Sequence, residues 1–319
     1  MAMFLVRRIG HGLLVLWLIS IAVFALFFVA PSNVAQTLAG RQGTPETIAL
    51  IKHRLGLDLP VWQQYLHFLG NAAKGNLGYD YYHQVPVTTI IGQALPVTIS
   101  LALGASVLWL LLGVFNGVIS AIHPRSLADR GLTLFSLFFY SFPSFLLGLL
   151  LLYFLYFRLT LAGFRWFPAG GYSPLTSGAG AWFQHLFLPW IALALLLAAT
   201  YTRLTRASML DVLGEDYIRT ARSKGIRESR VIVRHGLRSA LTPVVTQFGI
   251  DLGQLVGGVV VTETVFSLPG LGQTAVVAIN QQDLPVIIGI VLFASAAVVV
   301  ANILVDIGYA VLDPRVRLH

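Results

Sequence analysis

The sequence predicts an all-α, polytopic membrane protein with about six transmembrane helices. Of its 319 residues 56% are hydrophobic and 11% charged, whereas a soluble domain carries roughly 25% charged residues. Mean hydropathy is +0.78. The apolar residues form continuous runs from one end of the chain to the other, and they lack the alternation over about ten residues that lipid-facing barrel strands show.

The first run, 9–30, follows Arg7 and Arg8 and superficially resembles a secretory signal. At 1.5 Å per residue it reaches about 33 Å, enough to cross a hydrocarbon core of about 30 Å, and no small-residue cleavage site follows it. We read it as a retained first helix, closing a segment 1–30. Residues 31–95 are too long for a turn and predict an extracytoplasmic subdomain: 46–53 and the aromatic stretch 61–68, with Trp62, Tyr65, His67 and Phe68, recur near helical spacing. This part reads equally as a pack against the membrane surface or as a docking surface. The core, 96–319, holds further spans at 96–121, 131–157, 182–202, 243–266 and 284–307. Between the third and fourth lies a Gly, Pro and Ser-rich stretch, 158–181, expected to be irregular.

A formal charge of +8 and a pI near 10.0 raise the question of nucleic acid, and the location of the charge answers it. With the amino terminus inside, 15 of the 21 Lys and Arg residues fall in cytoplasmic segments; Arg41, Lys52, Arg54, Lys74, Arg158 and Arg165 do not. That bias is a topology signal, with both termini cytoplasmic, and implies no nucleic-acid partner. The absence of cysteine excludes disulfides and thiolate metal sites but does not choose a compartment. No GxxxxGK[ST], HExxH or GxSxG motif occurs, so the chain has no P-loop for ATP and no recognisable hydrolase centre. A proton-coupled secondary transporter is the rival class, but its usual internal repeat is not evident.

The long inner loop, 203–242, reads as helix, glycine turn, helix, membrane. Asp216 is expected to cap a short helix that runs through Lys224, and Gly225 suits the left-handed residue after its end. A second helical piece is expected from 229 to 237, with Pro243 in the first turn of the fifth span. Tyr217, Ile218 and Ala221 share one face by spacing, while Arg219, Arg222 and Lys224 fan outward. So short a helix is marginal alone. It lies either on anionic headgroups or in a partner's groove.

Asp251, Glu263 and Asp306 fall within predicted spans. A carboxylate at mid-membrane costs on the order of 3 kcal/mol, so each must face protein or water. Glu263 and Asp306 lie near span ends, where hydration is within reach and structural pairing is expected. Asp251 lies about 12 Å into the fifth span, with Gln247 and Gln254 on neighbouring faces, a polar stripe suited to lining a translocation pathway.

Several stretches together resemble permease subunits of binding-protein-dependent ABC importers, in their dipeptide and oligopeptide branch. They are Tyr217-Ile218-Arg219-Thr220-Ala221-Arg222-Ser223-Lys224-Gly225 with His235-Gly236-Leu237-Arg238; Leu55-Gly56-Leu57-Asp58-Leu59-Pro60 with Gly75-Asn76-Leu77-Gly78; Glu263 to Gly272 with Asp283-Leu284-Pro285; and Asn302, Asp306, Tyr309 with Asp313-Pro314-Arg315. The general family motif begins Glu-Ala-Ala where this chain has Arg219-Thr220-Ala221, and Asp251 stands where the family pattern is uncharged. The resemblance implies a type I ABC importer-like bundle in a prokaryotic cytoplasmic membrane. It further implies an ATPase-coupling role for Tyr217, Ile218, Thr220, Ala221, Arg222, Lys224 and Gly225. The implied partners are a homologous second permease, two ATPase subunits or one in two copies, an extracytoplasmic substrate-binding protein, and peptide cargo. No cofactor is expected on this chain, and ATP with Mg is expected on the ATPases. The branch also includes importers of nickel, haem and other small solutes.

Overall fold

Helices carry nearly all of the computed structural model, which describes residues 2–26, 44–54 and 58–312. In order they are α1 (Ala2–Phe24), α2 (Pro45–Arg54), α3 (Val61–Ala73), α4 (Val87–Ile122), α5 (Leu127–Tyr140), α6 (Ser144–Leu151), α7 (Ala179–Leu213), α8 (Asp216–Ser223), α9 (Arg238–Gly258), α10 (Val260–Val265), α11 (Leu271–Gln281) and α12 (Leu284–Leu312). Helical backbone continues from α6 through a wider π turn to Leu161, and α9 is entered through a similar turn over Val231–Leu237. Five segments among the described residues are long and apolar enough to cross a membrane: Val6–Phe24, Val87–Ile122, Ser144–Leu161, Ala179–Leu213 and Leu284–Ile303.

Two of the predicted spans are built differently from expectation. The third, 131–157, is not one helix. It breaks at Ser141–Pro143 into α5 and α6, because proline offers no N–H to the preceding turn and disfavours the helical conformation of the residue before it. The apolar segment is therefore the one that starts at Ser144. The fifth, 243–266, begins upstream, at Arg238, so Pro243 sits inside α9 instead of in its first turn, and a turn at Val259 separates α9 from α10. At 21 residues α9 is long enough to span, but Ser239, Thr242, Thr246, Gln247 and Asp251 keep it out of the apolar set. Residues 27–30, the end of the predicted first span, lie outside the described residues.

The chain divides into two compact units. The first is Met1–Leu95 with Thr274–His319. In it α1 packs along α12, so closely that a Cβ on Gly12 would come 2.7 Å from Val299 Cγ1. α3 lies against α1 through a 2.8 Å hydrogen bond between the Ser20 and Tyr65 hydroxyls and through Phe24, whose ring sits 5.3 Å from Tyr65 and 5.8 Å from Phe68. Of the aromatic residues of α3, Tyr65 and Phe68 thus turn inward, and Trp62 and His67 stay exposed.

The second unit is Pro96–Gln273. Its core is built on α4 and α7, around Leu101, Trp109, Leu186, Trp190, Tyr201 and Phe266. The two helices meet backbone to backbone where Gly113 and Gly117 face α7: an added Cβ would lie 2.3 Å from Tyr201 Cβ at Gly113 and 2.5 Å from Thr205 Cβ at Gly117. This is the small-xxx-small spacing that lets membrane helices pack without a hydrophobic driving force between them. The indole N–H of Trp190 donates to the Ser100 carbonyl at 3.0 Å and ties the same pair together one level away.

Candidate functional site

α8 is eight residues long, and its shape follows from its ends. Lys224 closes it; Gly225 follows at φ +72°, with its N–H on the Arg222 carbonyl at 2.9 Å and that of Ile226 on Ala221 at 3.3 Å. These are the two bonds of a Schellman stop, which needs a left-handed residue after the cap and so favours glycine there. The start differs from expectation. Glu215 holds the N-cap position without a side-chain cap bond, and Asp216, already inside the first turn, reaches Arg219 at 3.5 Å instead. An acidic residue there still complements the helix dipole.

One face of α8 is anchored. Ile218 and Ala221 are buried with Val231, and Leu213 and Ile226 pack around them. Tyr217 does not join that face as its spacing suggests; at 44% exposure it points outward because 100° of helical rotation separates it from Ile218. The outward side also carries Arg219, Thr220, Arg222 and Lys224. Arg222 turns back onto Glu228, donating at 2.8 and 3.2 Å, and this contact holds Glu228 below the usual carboxylate range. The outward presentation is therefore Tyr217, Lys224 and Thr220, whose hydroxyl donates back to the Asp216 carbonyl at 2.9 Å, with Arg219 on Asp216 at the limit of an ion pair.

The second unit also holds a partly buried ion pair that the sequence does not announce. Arg206, two turns before the end of α7, donates from Nε and Nη2 to the two oxygens of Asp129 at 2.7 and 2.8 Å. Ser120 of α4 donates to the same carboxylate, and so does the backbone N–H of Arg125, at 2.8 Å. Three helices, α4, α5 and α7, converge on this one group. The bonds from Arg206 foremost, then that from Ser120, hold the Asp129 carboxyl well below its ordinary range. In the sequence, Arg206 and Asp129 count only toward loop charge. The available signal is Ser126-x-x-Asp129, a capping pattern, and Ser126 does cap α5 by accepting from the Asp129 N–H.

Farther along α9, Asp251 is half-buried. The Tyr201 hydroxyl donates to Oδ2 at 2.7 Å and the Gln247 amide to Oδ1 at 2.9 Å. Tyr201, fully buried, stands beside Trp109, and Trp109 beside Phe248, with ring centroids 6.2 and 6.1 Å apart. Gln247 and Asp251 are thus brought together as the spacing predicts; the side chains of Gln254 and Asp306 lie outside the described residues. Glu263 has the structural partners expected of it, but without the water expected nearby. It is fully buried, not hydrated, and its carboxylate accepts from Thr98 Oγ1 at 2.7 Å and from the N–H groups of Gly272 and Gln273 at 2.8 and 3.0 Å. It caps the start of α11, where an anion is favoured.

In the other unit, Asp80 and Asp283 are both nearly inaccessible. Asp283 accepts from the Tyr81 N–H at 3.1 Å, and Asp80 accepts from the Tyr82 N–H at 2.8 Å and meets the His83 ring. Burial, and then the neighbouring Asp80, push Asp283 up to about 6. Burial acts on Asp80 in the same sense, but the hydrogen bond with Asp283 and the Tyr82 N–H outweigh it and the value falls to about 2. Because Asp283 is raised from 3.8, its contribution to stability is full below that value and is lost as pH rises through about 6. Thermal unfolding should therefore occur at lower temperature at about pH 7.5 than at about pH 5, and D283N should flatten that difference. An unchanged pH dependence in D283N would show that the pair does not titrate in this range.

Comparison with known sequences adds an independent finding. Residues 113–318 match the family described as binding-protein-dependent transport system inner membrane component, and residues 1–102 match its N-terminal companion. A protein of Sinorhizobium fredii named as a peptide ABC transporter permease is 37% identical over 99% of this chain and 100% of its own length. A Brucella abortus protein named as a peptide transport system permease is 40% identical over 99% of both. The glutathione transport system permease of Escherichia coli K12 is 35% identical over 98% of both.

Proposed function

The chain belongs to the binding-protein-dependent transport system inner membrane components, and on that footing we propose that it is the permease subunit of an ATP-driven peptide importer. It is a multi-pass membrane protein and a transport component. The relatives' names speak for peptides as the cargo class. In this reading a homologous second permease completes the pathway, an extracytoplasmic binding protein delivers cargo, and two ATPase subunits, or one in two copies, bind ATP and Mg. Both termini and residues 203–242 face the cytoplasm, residues 31–95 form the extracytoplasmic subdomain, and residues 96–319 form the permease core.

The observation that carries this reading is α8. A helix of eight residues cannot persist on its own propensity, yet here it is pinned at Ile218 and Ala221 and stopped at Gly225, while Tyr217, Thr220 and Lys224 are left outward. That is the build of a lever: one side fixed to the chain, the other offered to a partner. Tyr217, Ile218, Thr220, Ala221, Arg222, Lys224 and Gly225 act as the ATPase-coupling element, the outward residues by contact and the rest by holding the helix in place. Closure of the ATPases moves α8, and α7, which runs into it after Gly214, transmits the displacement as rigid-body rocking. Gln247, Asp251 and Gln254 line the pathway, where polar side chains on a membrane helix meet water and cargo instead of lipid.

Uptake by vesicles containing the chain with its co-expressed partners tests the energy source. Vanadate should abolish peptide uptake and a proton uncoupler should leave it intact; the reverse pattern would establish a proton-coupled carrier instead.

A further inference from the structure

Asp129 and Asp251, both in the second unit, are treated in opposite ways. Asp129 is answered by a guanidinium with two short bonds. Asp251 receives only neutral donors, the Tyr201 hydroxyl and the Gln247 amide, and among the described residues it has no Lys, Arg or His within ion-pair distance. A carboxylate accepts about four hydrogen bonds, so two neutral donors orient it and leave acceptor capacity on both oxygens. Its position adds to this. Gln247 and Asp251, one turn apart on α9, both keep part of their side chains accessible. A membrane helix does not turn a carboxylate to lipid, so the accessible part of Asp251 borders water or cargo.

A carboxylate with no cation beside it among the described residues, oriented by a buried tyrosine and still partly accessible, is complementary to a positive charge that arrives and leaves. Neutral donors suit a transport site for this reason: a resident Arg or Lys would compete with the cargo's cation, whereas Tyr201 and Gln247 fix the rotamer and do not neutralise it. Resting on the assignment of α9 to the pathway, we propose that Asp251 is the cation-recognition group of this permease, pairing with an ammonium or guanidinium of the passing peptide. Tyr201 is its positioning residue.

The test uses the assembled transporter in proteoliposomes, supplied with a mixture of tripeptides that differ in positive charge, some N-acetylated and some bearing lysine or arginine. Mass spectrometry of the vesicle contents gives the ratio of D251N to wild-type uptake for each species, which cancels the selectivity of the delivery protein. The ratio should fall with cargo charge, by about tenfold for each ionic hydrogen bond removed, and D251E should restore it to within about threefold because it keeps the charge. Y201F should weaken the charge dependence and not abolish it. A ratio that is flat across the mixture, whether all species fall together or none falls, would overturn the inference. Absence of ATP-dependent uptake by the wild-type assembly would instead remove the importer reading on which it rests.

Discussion

Asp129→Ala should lower the thermal midpoint of the purified transporter by about 6 to 12 °C, the largest stability effect expected from any single side chain in the α4–α5–α7 junction. The carboxylate is 6% exposed and takes both forks of Arg206, together with the Ser120 hydroxyl and the Arg125 N–H. Removing it strands a partly buried guanidinium and leaves the Arg125 N–H without its acceptor. Breaking a buried pair costs about 3–5 kcal/mol, and because Arg206 keeps 31% of its side chain in contact with solvent the lower end, about 3 kcal/mol, applies. At about 2 to 4 °C per kcal/mol for a unit of this size, that gives the stated shift. Arg206→Lys should recover only part of the loss, since an ammonium keeps the charge but not the two-pronged geometry. Acid should reproduce the defect. Asp129 is held below its usual range of 3.8, so its contribution is present above that value and declines as pH falls beneath it. A D129A protein that melts with the wild type would show that the three helices do not depend on this junction.

Ile218→Asp should abolish ATP-driven uptake, by about a hundredfold or more, while the chain still reaches the membrane in normal amount. Ile218 is fully buried against Ala221 and Val231, and a carboxylate there has no partner. Expelling it frees the whole of α8, because eight residues have too few internal hydrogen bonds to remain helical unaided. A loss of about 2.7 kcal/mol in the docked population corresponds to that hundredfold. Deleting residues 216–225 should give the same phenotype, with basal ATP hydrolysis by the partners continuing without transport. Substitutions on the outward side, Tyr217→Ala or Lys224→Glu, should impair coupling and leave the thermal midpoint unmoved, which separates contact from anchoring. If I218D transports normally, α8 is not the coupling element.

Both expectations concern features that differ in how readable they are. α8 is visible in the sequence because its determinants are local: a glycine that alone tolerates φ +72° without strain, two apolar residues three apart, and polar residues between and after them. Spacing puts Tyr217 on the wrong face, since three residues in one turn and a half leave the facing direction open, and only the packing of Val231 and Leu213 selects it. The break between α5 and α6 is hidden for another reason. Hydropathy averages over Ser141, Phe142 and Pro143 without registering that a donor is missing.

The membrane class, the sites of most spans, the short inner helix and the one-turn pairing of Gln247 with Asp251 on α9 all follow from composition and periodicity, because lipid demands apolar length and helices repeat every 3.6 residues. What no local pattern contains is partnership. Asp129 and Arg206 stand 77 residues apart, Asp251 and Tyr201 stand 50 apart, and Glu263 meets Thr98 across 165. Each charge looks alike along the chain; the tertiary structure separates an ion pair, a helix cap and a carboxylate held by neutral donors. The difference is electrostatic. In a medium of low dielectric, the neighbours that folding brings within about 3 Å decide whether a charge holds the protein together or waits for a ligand.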